Sequence, residues 1–415
     1  MMNASTTTAR AAGLILASLA VLGPARAGED DLRQRALALN AITGSDTVKG
    51  EIITLLEDPA TSKKLVAAAA KMARQKPQPF GCNATLVLAT VAHRLGDYEA
   101  GEAFYRLHAE QAIQLQSENG VAAAYGGLID LLFRAQKYAE TERICRELLE
   151  IDGGESLQGI KTGAFQRLVL SMAKQGQTDK ALEMLDRLGK KQPDNWFILL
   201  QLKGQVLHEA GKIPDAVKTY EEMTGKIRSD KRLNKKEQDE LESDVRYYLS
   251  GLYLEVDQVD KAAEQLKTLL AREPDNPTYN NDLGYIWADH DMNLSESERL
   301  IRKALEEDRR QRRRANADTK AEDEPKDNPA YLDSLAWVLY KQKKYKDALP
   351  YLQEAVKAEA GKHLEIYDHL GDVHLALGDK KDAVAAWKEA VKVAGTTKRD
   401  KDRKAAVEKK IKANE

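Results

Sequence analysis

Apolar positions along this chain recur at helical spacing, in paired stretches separated by a short polar turn. The clearest pairs lie near the C-terminus. Tyr331, Leu332, Leu335 and Ala336 form one stripe, and Ala348, Leu352 and Ala355 form the next; Tyr367, Leu370 and Gly371, then Ala383, Trp387 and Ala390, repeat the arrangement 35 residues later. Residues three and four apart share one face of an α-helix, so each pair reads as a helical hairpin. Ala336 or Gly371 leaves room for the partner helix to cross closely. Ala348 or Ala383 permits the return packing, and Leu352 or Trp387 fills the seam.

The same frame recurs upstream. Tyr125, Leu128, Tyr138, Cys145 and Leu148 fit it, with Thr141 at the small position. Phe165, Leu168, Gly176, Ala181, Leu185, Leu188 and Pro193 follow. Then come Leu200, Gly204, Leu207, Gly211, Ala216, Tyr220 and Met223, and after them Leu249, Tyr253, Ala262, Leu266, Leu269 and Pro274. Asn281–Leu305 matches with one extra residue around 291–293, and Leu88, Ala89, Gly96, Tyr98, Gly101 and Tyr105 give a weaker first copy. The small-residue anchors fall at 101, 141, 181, 216, 262, 297, 348 and 383. Three of the intervals between them are 35 residues, and the longer ones predict extended helices or inserts.

This frame resembles the tetratricopeptide repeat family: a large residue, then Leu-Gly, an aromatic before the second helix, and Ala at fixed offsets. The resemblance implies an all-α, right-handed superhelical solenoid of helix-turn-helix repeats, about eight of them over residues 85–395. Each hairpin has too little core to stand alone, so neighbours bury one another's faces. Residues 28–84 read as an N-terminal helical cap or degenerate repeats, in which Pro59 begins a helix and Pro77 and Pro79 mark a break. Charged inserts are expected near 227–243 and 306–327. Residues 396–415, with eight basic and four acidic side chains, read as a charged capping helix or tail with Val407 and Ile411 on one face.

The first 27 residues read as an address. Arg10 precedes an apolar run from Ala11 to Gly23; Pro24 breaks it, and Ala25-Arg26-Ala27 offers a small-x-small exit. This is the layout of a secretory signal peptide cleaved before Gly28, and the run is short for a membrane span of roughly 20 residues. The expectation is an exported, periplasmic protein with no integral membrane span.

Composition narrows the chemistry. Of the 415 residues, 31% are charged, but 64 Lys and Arg nearly balance 66 Asp and Glu, which argues against a general polyanion binder. No nucleic-acid partner is expected, and the arginine run at 309–314 reads as a solvated linker. Cys82 and Cys145 are too few for a disulfide scaffold or a four-cysteine zinc site, and read as free structural cysteines. His369 and His374 are five apart and do not share a helical face cleanly, so no metal site is expected. No phosphate-binding glycine loop, nucleophile elbow or zinc-protease motif is present. The chain therefore reads as a binding protein with no cofactor and no catalytic residues.

In the family, first helices line the concave side. Carried onto this frame, the groove positions are Asn281 and Tyr285, then Asp333, Trp337 and Tyr340, then Asp368 and Asp372; Gln201, Gln205 and His208 match farther upstream. Aromatic rings would supply contact area, while Asn and carboxylates would fix a peptide's backbone or basic groups. The implied function is a scaffold for protein or peptide partners of the cell envelope. The alternatives are an assembly subunit using its outer surface, or an enzyme with an unfamiliar site in the N-terminal region or an insert. Residues 275–395 resemble exported or envelope-associated bacterial repeat proteins more closely, with Ala336 where those usually have Gly.

Overall fold

The computed structural model describes residues 28–75, 77–319, 326–395 and 397–415, and every regular element among them is helical. The expected signal peptide and the acidic middle of the second insert, Glu322 to Glu324, lie outside the described residues. Contacts divide the chain into two compact units, one ending at Ala216 and the other beginning at Val217.

The first unit opens with α1 (Glu29–Ala38), α2 (Ser45–Glu57) and α3 (Pro59–Ala73). Pro59 starts α3 at the one position where its missing N–H costs nothing, and the Asp58 carboxylate caps Thr61 N. A loop containing Pro77 and Pro79 then leads to α4 (Cys82–Arg94) and α5 (Tyr98–Gln114), with Phe80 buried edge-on against Phe104. Pairs follow as α6 (Glu118–Arg134) with α7 (Tyr138–Glu150), and α8 (Glu155–Lys174) with α9 (Thr178–Lys191). The unit ends with α10 (Trp196–Glu209) and the start of α11 (Ile213–Ser229).

The second unit holds the rest of α11 and the pairs α12 (Lys235–Glu255) with α13 (Val259–Arg272), α14 (Pro277–Asp289) with α15 (Leu294–Thr319), α16 (Pro329–Lys341) with α17 (Tyr345–Ala355), and α18 (Leu364–Leu377) with α19 (Lys380–Lys392). A last helix, α20 (Lys398–Asn414), completes it. Both units are therefore stretches of an all-α, helix-turn-helix repeat solenoid. Within the second, the first helices lie side by side: α14 against α16, α16 against α18, and α18 against α20.

One device closes every hairpin. Between the two helices of each pair the backbone turns through a left-handed residue: Gly96, Gln136, Gly176, Gly211, Asp257, Asp291, Lys343 and Gly378 all have positive φ. That conformation stops the first helix and reverses the chain within a few residues. The second helix then presents its small anchor to the first. Gly101, Thr141, Ala181, Ala216, Ala262, Ser297, Ala348 and Ala383 are all buried. A Cβ on Gly371 would sit 2.3 Å from the Trp387 indole, and one on Gly284 would sit 2.6 Å from Ile301.

The long intervals between anchors coincide with long helices. α12 starts early at Lys235, held by a reciprocal cap between Asn234 and Glu237. Its mixed charges are less solvated than the sequence suggests. Glu242 is buried and accepts from Arg228, Arg246 and Arg272, which tie α11, α12 and α13 together. Burial alone would raise its carboxyl, but the three guanidinium hydrogen bonds prevail and hold it at about 2. α15 likewise runs on through the arginine block, where Arg309 grips Asp327 with two bonds of 2.5 Å.

Adding a methyl group at the α18–α19 crossing tests this packing. Gly371→Ala gains helix propensity but drives a Cβ into the fully buried Trp387, whose Nε1 donates to the Asp368 carbonyl at 3.2 Å. The expected outcome is a net loss of about 1–3 kcal/mol, read from urea unfolding followed by tryptophan fluorescence.

Candidate functional site

The first helices of the last repeats carry residues of one stripe at one-turn spacing: Asn281, Tyr285 and Asp289 on α14; Asp333, Trp337 and Tyr340 on α16; Glu365, Asp368, His369 and Asp372 on α18. Side-by-side packing of these helices brings four of the seven sequence-predicted residues, Tyr285, Asp333, Asp368 and Asp372, into one bonded network, and Trp337 lies against it by stacking on His369. Tyr340 joins it by stacking.

Its centre is His369, with 1% of its surface exposed, between Asp333 and Arg403; Asp333 and Asp368 are each 5% exposed. His369 Nδ1 lies 2.8 Å from Asp333 Oδ1, and Nε2 lies 2.9 Å from Arg403 Nη2 on α20. A guanidinium only donates, so Nε2 accepts; the ring proton sits on Nδ1 and donates to Asp333. Burial works against the imidazolium, but Asp333 outweighs it and leaves His369 above the ordinary imidazole range. A proton on Nε2 would face the guanidinium, so the imidazolium and this Arg403 contact exclude each other.

Around this centre the charges alternate. Arg403 also donates to Glu365 Oε1 at 2.6 Å and to Asp368 Oδ2 at 3.2 Å. Arg399 reaches both Glu365 oxygens at 3.3 Å, and Tyr285 donates its hydroxyl to Glu365 at 2.7 Å. Lys410 donates to Asp368 at 2.6 Å and to both oxygens of Asp372 at 2.7 Å. Burial raises the Asp372 carboxyl despite Lys410, and burial with the nearby carboxylates pushes the Tyr285 phenol well above its usual range, keeping it a donor.

The aromatic part adjoins it. Trp337 stacks on His369 with centroids 4.0 Å apart and on Tyr340 at 5.0 Å, while its Nε1 donates to Asp289 at 3.0 Å. Lys341 lies 5.4 Å over the Trp337 ring. Asn281 stands apart: Nδ2 donates to Asp282 at 3.2 Å, and its buried Oδ1 has no partner among the described residues. Gln201, Gln205 and His208 belong to α10 in the first unit.

The sequence reading expected the carboxylates to await a partner's basic groups; instead, the chain's own C-terminal helix already meets them. Glu365, Arg403 and Lys410 are not among the residues that the sequence singles out, and His369 is weighed there only as a metal ligand. The available signals were the spacing of Glu365 and His369 from Asp368 and the basic character of the tail. A second unforeseen cluster lies in the first unit, where His108 Nδ1 is 2.9 Å from the Cys82 carbonyl and 3.3 Å from its sulfur. Burial raises the thiol and lowers the imidazole, so this contact joins two neutral groups and makes no activated thiolate. Both cysteines are free, and among the described residues no group of three or more His, Cys, Asp or Glu could hold a metal ion. No described helix is long and apolar enough to cross a membrane.

Tetratricopeptide repeat models match residues 252–312 and 334–398, 164–195, and 83–106. A TPR repeat-containing protein of Pseudomonas aeruginosa is 28% identical over 247 residues, covering 57% of this chain and 34% of that protein; the chain thus spans about a third of that relative. Among solved structures, a tetratricopeptide repeat protein from Parabacteroides merdae aligns with 73% of this chain and 98% of its own, at 13% identity and a TM-score of 0.42. A thermophilic TPR protein of Thermus thermophilus aligns with 49% and 94%, at 18% identity and a TM-score of 0.36.

Glu365 gives the site a measurable pH signature. Burial would raise its carboxyl, but Arg403, Tyr285 and Arg399 prevail and bring it to about 2, below the ordinary value of roughly 4.3. A depressed carboxylate contributes stability above its unfolded value and loses that contribution as pH falls through the folded one. Glu365→Gln should therefore cost about 1–3 kcal/mol near neutral pH, and the gap should close between roughly pH 4.3 and 2 in acid-titrated urea unfolding.

Proposed function

We propose, from the matches to tetratricopeptide repeat models and the helix-turn-helix fold, that the chain is a protein–protein interaction scaffold, that it is exported, and that it binds partner segments on the first-helix face of its last repeats. The supporting observation is the row of Tyr285, Trp337, Tyr340 and carboxylates, at whose end a helix of the same chain rests on the α18 carboxylates by hydrogen bonds and ion pairs. Stacked rings supply rigid contact area at little conformational cost, and the carboxylates orient a cationic or N–H-bearing segment. The partners are proteins or peptides of the cell envelope. Export rests on the apolar run and small-residue exit of residues 1–27, and the envelope setting on the resemblance of residues 275–395.

Removing the aromatic ledge tests the face. Trp337→Ala with Tyr340→Ala should weaken capture of partners from envelope extracts at least about tenfold, while helical content by circular dichroism stays near wild type. Undiminished capture by a folded variant would sink the assignment.

Export makes a separate prediction. Protein recovered from the periplasm should begin at Gly28 when its N-terminus is sequenced. An uncleaved chain confined to the cytoplasm would contradict it.

A further inference from the structure

The geometry points to a receptor at the end of the second unit for a cationic helix supplied by a partner protein, with α20 as the chain's own occupant. This deepens the proposed reading of the first-helix face and rests on it. The recognition elements are a basic residue, an aliphatic residue four positions later and a second basic residue three positions after that. In α20 these are Arg403, Val407 and Lys410.

Each has a built counterpart. Arg403 is shared among Glu365, Asp368 and His369. Val407 is fully buried in a cluster with Leu364, Ala383, Trp387 and Ala390. Lys410 bridges Asp368 and Asp372 and lies 5.8 Å over the Trp387 ring. Residues three and four apart share a helical face, so one helix presents all three elements together.

Two observations separate the receptor from its present occupant. The carboxylates belong to α18, whose hairpin with α19 closes on Trp387 and the Gly371 crossing. Glu365, Asp368 and Asp372 stand at one-turn spacing and repel one another unless a cation lies over them, whichever chain supplies it. The occupant, in turn, is held mainly by charge. Val407 is the one buried apolar side chain of α20, with Ile411 partly covered beside it, among the described residues. Arg403 and Lys410 keep 24% and 33% of their side-chain surface in solvent while the carboxylates beneath them are largely covered, so a helix carrying the same three elements and a larger apolar face competes for the site.

The test uses the full chain and a fluorescent peptide of residues 396–415 as probe. Reversing the internal cations, Arg403→Glu with Lys410→Glu, removes the resident competitor. Anisotropy should then show the peptide binding this variant at least tenfold more tightly than it binds wild type. Adding Asp368→Lys and Asp372→Lys, or placing R403E and K410E in the peptide, should abolish binding. The milder R403A/K410A chain should shift in the same direction and covers the case in which charge reversal unfolds the end.

Equal binding to wild type and variant, binding indifferent to Asp368 and Asp372, or no binding to a variant with native circular dichroism overturns the receptor. A wild-type dimer that exchanges α20, seen by sedimentation, overturns a foreign partner and makes a second copy the occupant. If the peptide fails while W337A/Y340A still loses its captured partner, this inference falls and the first-helix face stands.

Discussion

Two helices of a hairpin come into close contact only where one of them surrenders side-chain volume, and among the described residues this chain meets that demand at the same place in the pairs that lie within one unit. Gly101, Thr141, Ala181, Ala262, Ser297, Ala348 and Ala383 are all buried there. The left-handed residue before each second helix fixes where that crossing falls. Together they set the rotation of the first helix about its axis, because a turn of fixed length and a crossing of fixed position leave one face against the partner. The opposite stripe is then determined as well. Asn281 and Tyr285, Asp333 and Trp337, and Asp368 and Asp372 occupy equivalent positions because the anchors Ser297, Ala348 and Ala383 are equivalent.

This explains which features could be read from the residues. Anchors, seam residues and turns are local: each is specified within a span of about 34 residues, and repetition multiplies the signal. Groove positions follow from the same frame by counting. Their partners do not. Tyr285 finds Glu365 across 80 residues, Lys410 finds Asp368 across 42, and Glu242 gathers arginines from two other helices as well as its own. Charge pairing has no periodicity, and in a chain with this many charged residues each carboxylate has many conceivable mates. Asp368 and Asp372 alone do not reveal Lys410, since the basic tail that matches them begins some thirty residues downstream.

The two charged knots of the second unit differ in consequence. Glu242 lies beneath its arginines, on helices whose Leu249, Leu252, Leu266 and Leu269 are also buried. Breaking one partner there leaves a buried charge inside a packed layer, a loss of several kcal/mol by comparison with other buried pairs. The knot of Glu365, Asp368 and Asp372 has carboxylates similarly short of water, but the cations come from a helix with a single buried valine.

Stability at that end is consequently conditional on charge complementarity in a way that the hairpins below it are not. Trp387 fixes α18 to α19 through apolar contact and close approach, neither of which salt or a competing cation can exchange. Arg403 and Lys410 fix α20 through bonds that any correctly spaced pair of cations can make. The His369 ring sharpens the difference: it accepts Arg403 only while Nε2 carries no proton, and it leans on Trp337, which in turn stacks on Tyr340. The imidazole that accepts Arg403 is also the ring that stacks on Trp337, so the terminal layer and the aromatic ledge of the preceding repeat share one residue.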